Sequence, residues 1–304
     1  MASQKSVTLV FFSKTALLPI YMLTIYPSEV SIPVLHHYLQ GAVAPRPIAF
    51  ASTMDREGRI NLSPFSFFNV FGTNPPTLVF SPNRRVRDGS AKHTLENVLE
   101  VDEVVINMVD YAMVEQVSLA SCEYEKGVDE FVKAGFTAVP SVKVKPPRVG
   151  ESKAVFECKV KQVLPLGDAG GAPNLVICEV VAAHFSEDIL DKNGKIDQLK
   201  TDWVARLGDD WYCRASGSAL FQVPKPNLHK GIGVDQIPDH IRNHPDFSPN
   251  ELGRLGNIER LPAQAEIDNF IAEQQPDLSL ETAKRLLAEQ RVKEAWMVLL
   301  RFEF

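Results

Sequence analysis

A chain of 304 residues with 45% hydrophobic and 23% charged side chains has the make-up of an ordinary globular protein, long enough for one or two domains. Its formal net charge is −6, with 38 acidic against 32 basic side chains, so it lacks the basic balance on which nucleic-acid binding rests. Four cysteines with no CxxC pair argue for reduced thiols and a cytoplasmic protein rather than a disulfide scaffold.

In chain order, the apolar run 7–23 resembles the core of a signal peptide. Lys14 interrupts it and no small-residue cleavage site follows, and it is too short and broken to span a membrane. We read residues 1–22 as an N-terminal extension. "SEVSIPVLHHYLQG" has the pattern of a short helix with Ser31 at the N-cap, Pro33 in the first turn and Gly41 as the stop. The period then changes. "RPIAFAST" is an apolar strand, and Asp55 and Gly58 in "MDREGRI" make a hairpin turn. The runs "PTLVFS" and "DEVVINMV" are further strands, and a helix is expected around "AMVEQVSLAS". "AVFECKVKQVLPLG" and "NLVICEVVAAHFS", joined by "DAGGAP", form an antiparallel pair. Hairpin spacing of this kind favours a barrel or sandwich over a doubly wound sheet, giving a mainly β domain with flanking helices over residues 23–226. Residues 227–304 form a mostly helical C-terminal extension, broken at Pro276. Asp277 or Ser279 caps a last helix whose apolar face carries Leu280, Ala283, Leu287, Val292 and Trp296.

The stretch "NLSPFSFFNVFGTNPPTLVF" (61–80) mixes five phenylalanines with small polar residues, and "NRRVRDGSAKHT" (83–94) follows with Arg84, Arg85, Arg87 and Lys92. Rings beside small polar groups and cations suit flavin mononucleotide (FMN), which combines an apolar ring system, a polar edge, a hydroxylated chain and a phosphate dianion. The same residues are equally a hydrophobic core followed by a solvated cationic turn.

Their order carries more. "APRPIAFASTMDREGRINLSPFSFFNVFGTNPPTLVFSP" closely resembles the flavin reductase-like family of FMN-binding split-barrel proteins, which includes flavoredoxin and nitrilotriacetate monooxygenase component B. The likeness continues through "KHTLENV", "GVDEFVKAGFTAVPS", "FECKV" and "ARLGDDWYCRASG", covering roughly Leu23 to Pro224. The resemblance implies an FMN-binding split β-barrel, with Asn61, Leu62, Ser63 and Ser66 along the flavin and Ser81 at the end of the next flavin-facing strand. It places Arg87, Lys92 and Thr94 in the phosphate-binding turn, and Arg206, Trp211 and Tyr212 on the nicotinamide side. It further implies a homodimer with the flavin near the subunit boundary, and NADH or NADPH as reductant. His93 stands where the family usually has Asp, and Asp209 where a second Gly is common.

Arg46, between two prolines on an extended backbone, has two expected uses: the phosphate, or a structural partner such as Glu130. GxGxxG, GxxxxGK[ST], HExxH and GxSxG are absent, and His240 and His244 have no third ligand beside them, so no metal site is expected. Hydride transfer needs no general acid or base at the transferring carbon, so no catalytic residue is expected either. The sequence reading is therefore an NAD(P)H-dependent flavin reductase. Its alternative is an FMN-binding electron-transfer protein without its own nicotinamide pocket, serving an electron-accepting partner enzyme.

Overall fold

A computed structural model describes residues 7–8, 22–226 and 230–302. Most of the N-terminal extension, and the start of the C-terminal one at 227–229, lie outside the described residues. The chain divides into two units, Met1–Phe221 and Gln222–Phe304.

In the first unit, helix α1 (Ile32–Ala42) precedes strands β1 (Ala49–Met54), β2 (Ile60–Phe65), β3 (Phe68–Thr73) and β4 (Pro76–Phe80). Then come α2 (His93–Glu100), β5 (Glu103–Asn107), α3 (Val114–Leu119), α4 (Glu130–Ala134), β6 (Ala154–Pro165) and β7 (Asn174–Phe185). A separate hairpin, β8 (Trp203–Arg206) and β9 (Tyr212–Ala215), closes the unit. Helix α1 runs through Gly41 rather than stopping there, and Ser31 holds the N-cap position without a side-chain hydrogen bond.

The main sheet has seven antiparallel strands in the order β2-β1-β5-β6-β7-β4-β3. Its two edges, β2 and β3, are consecutive in the chain and joined only by Ser66 and Phe67. The sheet must therefore curl until its edges meet at one seam, which makes it a split barrel. Register shifts in the long β6–β7 pair, at Glu157/Cys158 and Val160/Gln162, supply bulges of the kind that bend strands into such a curve.

Alternation along β1 sorts its side chains. Ala49 and Ala51 join Phe65, Phe80, Ile106, Cys158 and Cys178 in one core, while Ile48 and Phe50 pack with Met113, Phe131 and Phe136 in a second beneath α3 and α4. All four cysteines are unbridged, and burial pushes the Cys158 and Cys178 thiols up. The buried Glu157 carboxylate accepts bonds from the amides of Val142 and Lys143, at 2.9 and 2.6 Å, and meets His184 at 2.8 Å. Burial opposes its ionisation, but those donors outweigh burial and hold its pKa below the ordinary value.

The second unit comprises α5 (Asp239–Arg242), α6 (Pro249–Leu255), α7 (Gln264–Gln274), α8 (Leu280–Ala288) and α9 (Val292–Leu299). They surround a core that includes Ile241, Leu255, Leu287 and Trp296, whose indole N–H donates to the Leu255 carbonyl. The expected last helix is in fact two. Ser279 caps α8 by accepting from the Thr282 amide, and Gln290, at φ +63°, reverses the chain before α9. No helix among the described residues is long and apolar enough to cross a membrane.

Candidate functional site

A cleft of about 410 Å³ opens beside the seam. One wall is the end of β2 and the turn after it, with Phe65, Ser66 and Phe67. Opposite stand Ile32, His36 and Gln40 of α1. The segment after β4 lines the rest with Ser81, Asn83, Arg84, Arg85 and Arg87, and Lys92 closes it at the start of α2. The 83–87 segment is held by the β6–β7 loop: Arg84 N–H donates to the Ala172 carbonyl at 3.0 Å, and Gly171 N–H returns a bond to the Arg84 carbonyl at 3.1 Å. Gly170 is needed for this approach, because a methyl group there would lie 2.5 Å from the Val86 carbonyl oxygen.

Four cations line this cleft against a single carboxylate, Glu123. Glu123 meets Arg85 Nε and Arg87 Nη2, each at 3.2 Å. Lys92 has no ion-pair partner among the described residues, and its ammonium lies 5.3 Å from the centroid of the Phe65 ring. Burial lowers its pKa, the neighbouring Arg85 cation lowers it further, and Glu123 opposes both. Arg84 Nε is buried with no hydrogen-bond partner among the described residues.

A smaller cavity of about 80 Å³ shares Arg85, Lys92 and Glu123 with the cleft, and is lined as well by Asn61, Ser63, His93 and Thr94. Asn61 Nδ2 donates to Thr94 Oγ1 at 2.8 Å. Helix α2 begins here, and the first amides of a helix have no carbonyl partner within it.

The expected residues thus gather around Lys92, with qualifications. Ser66, Ser81, Arg87 and Lys92 line the cleft, and Asn61, Ser63, Lys92 and Thr94 the small cavity. Ser81 is committed internally, donating to Asn83 Oδ1 at 2.7 Å and accepting from the Asn174 amide at 3.0 Å. Leu62 corrects the sequence reading: its side chain is fully buried in the second core, and its amide donates to Glu130 at 2.9 Å. Arg87 stands at the exposed rim.

Arg46 takes the structural one of its two expected uses, with other partners. Glu130 is not its partner; the guanidinium donates instead to the carbonyls of Gln40 and Val43 from Nη1, and of Leu207 from Nη2. Arg84 and Arg85, grouped with the cations in the sequence reading, both line the cleft, whereas the α1 wall and Glu123 were missed altogether.

Arg206 and Tyr212 lie in a second cleft, of about 400 Å³, with Tyr111, Glu115, Asp210 and Arg214. Arg206 stacks 4.5 Å from the Tyr212 ring centroid and donates to the backbone carbonyl of Asp209, not to a carboxylate. Arg214 stacks 3.9 Å from the Tyr111 ring and is held by Asp202 through two bonds of 2.7 Å. Trp211 is 72% exposed and lines neither cleft. A third, almost wholly apolar cleft of about 500 Å³ lies over β3, β4, β6 and β7, lined by Phe68, Val70, Leu78, Phe156 and Phe185. Among the described residues no group of three or more His, Cys, Asp or Glu side chains is placed to hold a metal.

Residues 42–200 match the family model described as a flavin reductase like domain. An uncharacterised protein of Halalkalibacterium halodurans is 37% identical over 204 residues, covering 66% of this chain and 96% of its own length. Among solved structures, nitrilotriacetate monooxygenase component B from Bacillus cereus superposes with a TM-score of 0.62 at 29% identity, over 66% of this chain and 98% of that one. The 2-nitrobenzoate 2-nitroreductase of Pseudomonas fluorescens superposes with a TM-score of 0.58 at 29% identity, over 66% and 96%.

Proposed function

The chain belongs to the flavin reductase like domain family, and from that membership we propose that it is an FMN-binding oxidoreductase, reduced by NADH or NADPH and acting as a flavin reductase. The observation that carries the reading is Lys92, a partly desolvated ammonium with no carboxylate of its own, in a cleft where four cations face one acid. Such a group suits a phosphate dianion. The fit extends further: the volume lies within the range of small-molecule sites, Phe65 and Phe67 offer ring faces, and Arg84 Nε lacks a partner. When bound, FMN would supply the acceptor for hydride from a reduced nicotinamide. The protein's own share is binding and orientation: Lys92, Arg85 and Arg87 for the phosphate, and Asn61, Ser63, Ser66 and Thr94 for the polar parts. The carrying test is the visible spectrum of purified protein, before and after NADH without oxygen. A flavin spectrum that bleaches on addition is expected; protein that takes up no added FMN refutes the assignment.

One observation favours the alternative of an electron-transfer protein serving a partner enzyme. Within one chain, Arg206 and Tyr212 line a different cleft from Ser66 and Lys92, so the nicotinamide side is not assembled with the flavin side. A second copy of the chain would complete it, and we propose a homodimer on this ground. The apolar cleft over β3 and β4, where Val70 is 61% exposed, is the surface that a partner would bury. Light scattering should give twice the chain mass at micromolar protein with FMN present; a monomer mass rules the dimer out. Unbridged thiols support a cytoplasmic setting.

A further inference from the structure

Helix α1 supplies a wall of the cation-rich cleft through Ile32, His36 and Gln40, yet none of its residues is buried. Ile32, Val34, Tyr38 and Leu39 are all exposed. A helix without a buried face draws little position from apolar packing. What holds it is a junction with the turn between β8 and β9, made in three ways.

Arg46 is 6% exposed, and its guanidinium joins the Gln40 and Val43 carbonyls, at the end of α1, to the Leu207 carbonyl in the turn. Its backbone pairs reciprocally with Arg206, both N–H···O distances being 2.9 Å. Gly208 lies directly against Gly41: a methyl group on Gly208 would stand 3.1 Å from the Gly41 Cα. Asp209 takes a left-handed φ of +50° and meets His37 Nδ1 at 3.2 Å, in an exposed pair that contributes little by itself. The buried guanidinium is the strongest of the three, because it satisfies carbonyls that the end of a helix leaves unpaired.

We propose that Arg46 is a positioning residue: through this junction it fixes the α1 wall, and with it the shape of the cleft that takes FMN. The proposal rests on the flavin reading above. Arg46 lines no part of the cleft, but it touches two residues that do: it donates to the Gln40 carbonyl, and the Phe67 ring centroid lies 6.0 Å from its guanidinium carbon. The same junction reaches the second cleft, because Arg206 and Asp210 belong to the β8–β9 hairpin and its turn. One buried cation therefore sets the α1 wall of the first cleft against the hairpin that lines the second.

The test combines hydrogen exchange on the full-length protein without FMN and a fluorescence titration with FMN. Arg46→Ala removes the clip, and Gly208→Ala forces the two backbones apart. Both should speed amide exchange across 32–43 while β5 keeps wild-type protection. Both should weaken FMN about tenfold or more, the scale seen when support behind a binding shell is lost. Gly41→Ala is the control: a methyl group there meets nothing within 4 Å and alanine favours the helix, so it should neither speed α1 exchange nor weaken FMN. Arg46→Lys, keeping the charge but not the fork, should fall between. Wild-type exchange in α1 for Arg46→Ala overturns the proposal. So does faster exchange with unchanged FMN affinity, or exchange that rises equally in β5. Wild-type protein that takes no FMN fails the flavin reading instead, and the exchange data then judge the clip alone.

Discussion

Lys92→Ala is expected to weaken FMN binding by about 1.5–3 kcal/mol, the range for a hydrogen bond to a charged group, while leaving riboflavin binding unchanged. The ammonium closes the cleft at the start of α2 and has no carboxylate of its own among the described residues. Burial, then Arg85, lowers its pKa, with Glu123 opposing. A base whose folded pKa lies below its unfolded value makes the fold less stable while it is protonated. The protein without ligand should therefore gain stability as pH rises through the folded pKa of Lys92. A bound dianion reverses the preference, because it favours the charged ammonium. FMN affinity should accordingly hold steady near neutrality and fall as pH rises through that lowered pKa, and the Lys92→Ala protein should lose the dependence. Arg87→Ala should cost less, since that guanidinium sits exposed at the rim and already meets Glu123 and Asp88. Titration with FMN and riboflavin at neutral and alkaline pH decides it: equal affinity for the two flavins removes the phosphate assignment.

Much of the site's chemistry is local in the sequence, and that part was legible. The Asp55 turn, whose carboxylate accepts from the Glu57 and Arg59 amides, and the cation-rich 83–92 segment lie within single stretches of chain. Leu62 shows the cost of reading a stretch as a block. Alternation along β2 sends Asn61 and Ser63 to one face and Leu62 to the other, so neighbours in sequence part company in space. The α1 wall was invisible for a different reason. Its helix follows from Pro33 and the apolar spacing, but its placement depends on Arg46 reaching Leu207, 161 positions away, and no local pattern encodes that contact. The Arg214–Tyr111 stack also joins distant segments. In the C-terminal unit, Leu280 to Trp296 reads as one face, and only the left-handed backbone at Gln290 shows that two helices share it.

Arg206 decides between enzyme and carrier, and its surroundings set the expected result. Its guanidinium stacks on Tyr212 and spends a hydrogen bond on the Asp209 carbonyl, yet no carboxylate neutralises it among the described residues. A cation so placed has charge left for a nicotinamide dinucleotide, whose pyrophosphate would bind it equally in the ground and transition states. Losing such a contact raises KM and spares kcat. We therefore expect Arg206→Ala to keep FMN, to reach the wild-type maximal rate of flavin reduction, and to need roughly 10- to 100-fold more NADH or NADPH, matching about 1.5–3 kcal/mol for a hydrogen bond to a charged group. Stopped-flow bleaching without oxygen, on wild type and variant, measures both quantities. A variant with unchanged concentration dependence would leave Arg206 as a surface group held by its own turn. The two clefts are separate within one chain, and in the proposed homodimer it is the second copy that would bring them together. Wild-type flavin that bleaches with dithionite but with neither nicotinamide would show that no such pocket forms, and the protein would then be a carrier that takes its electrons from another enzyme.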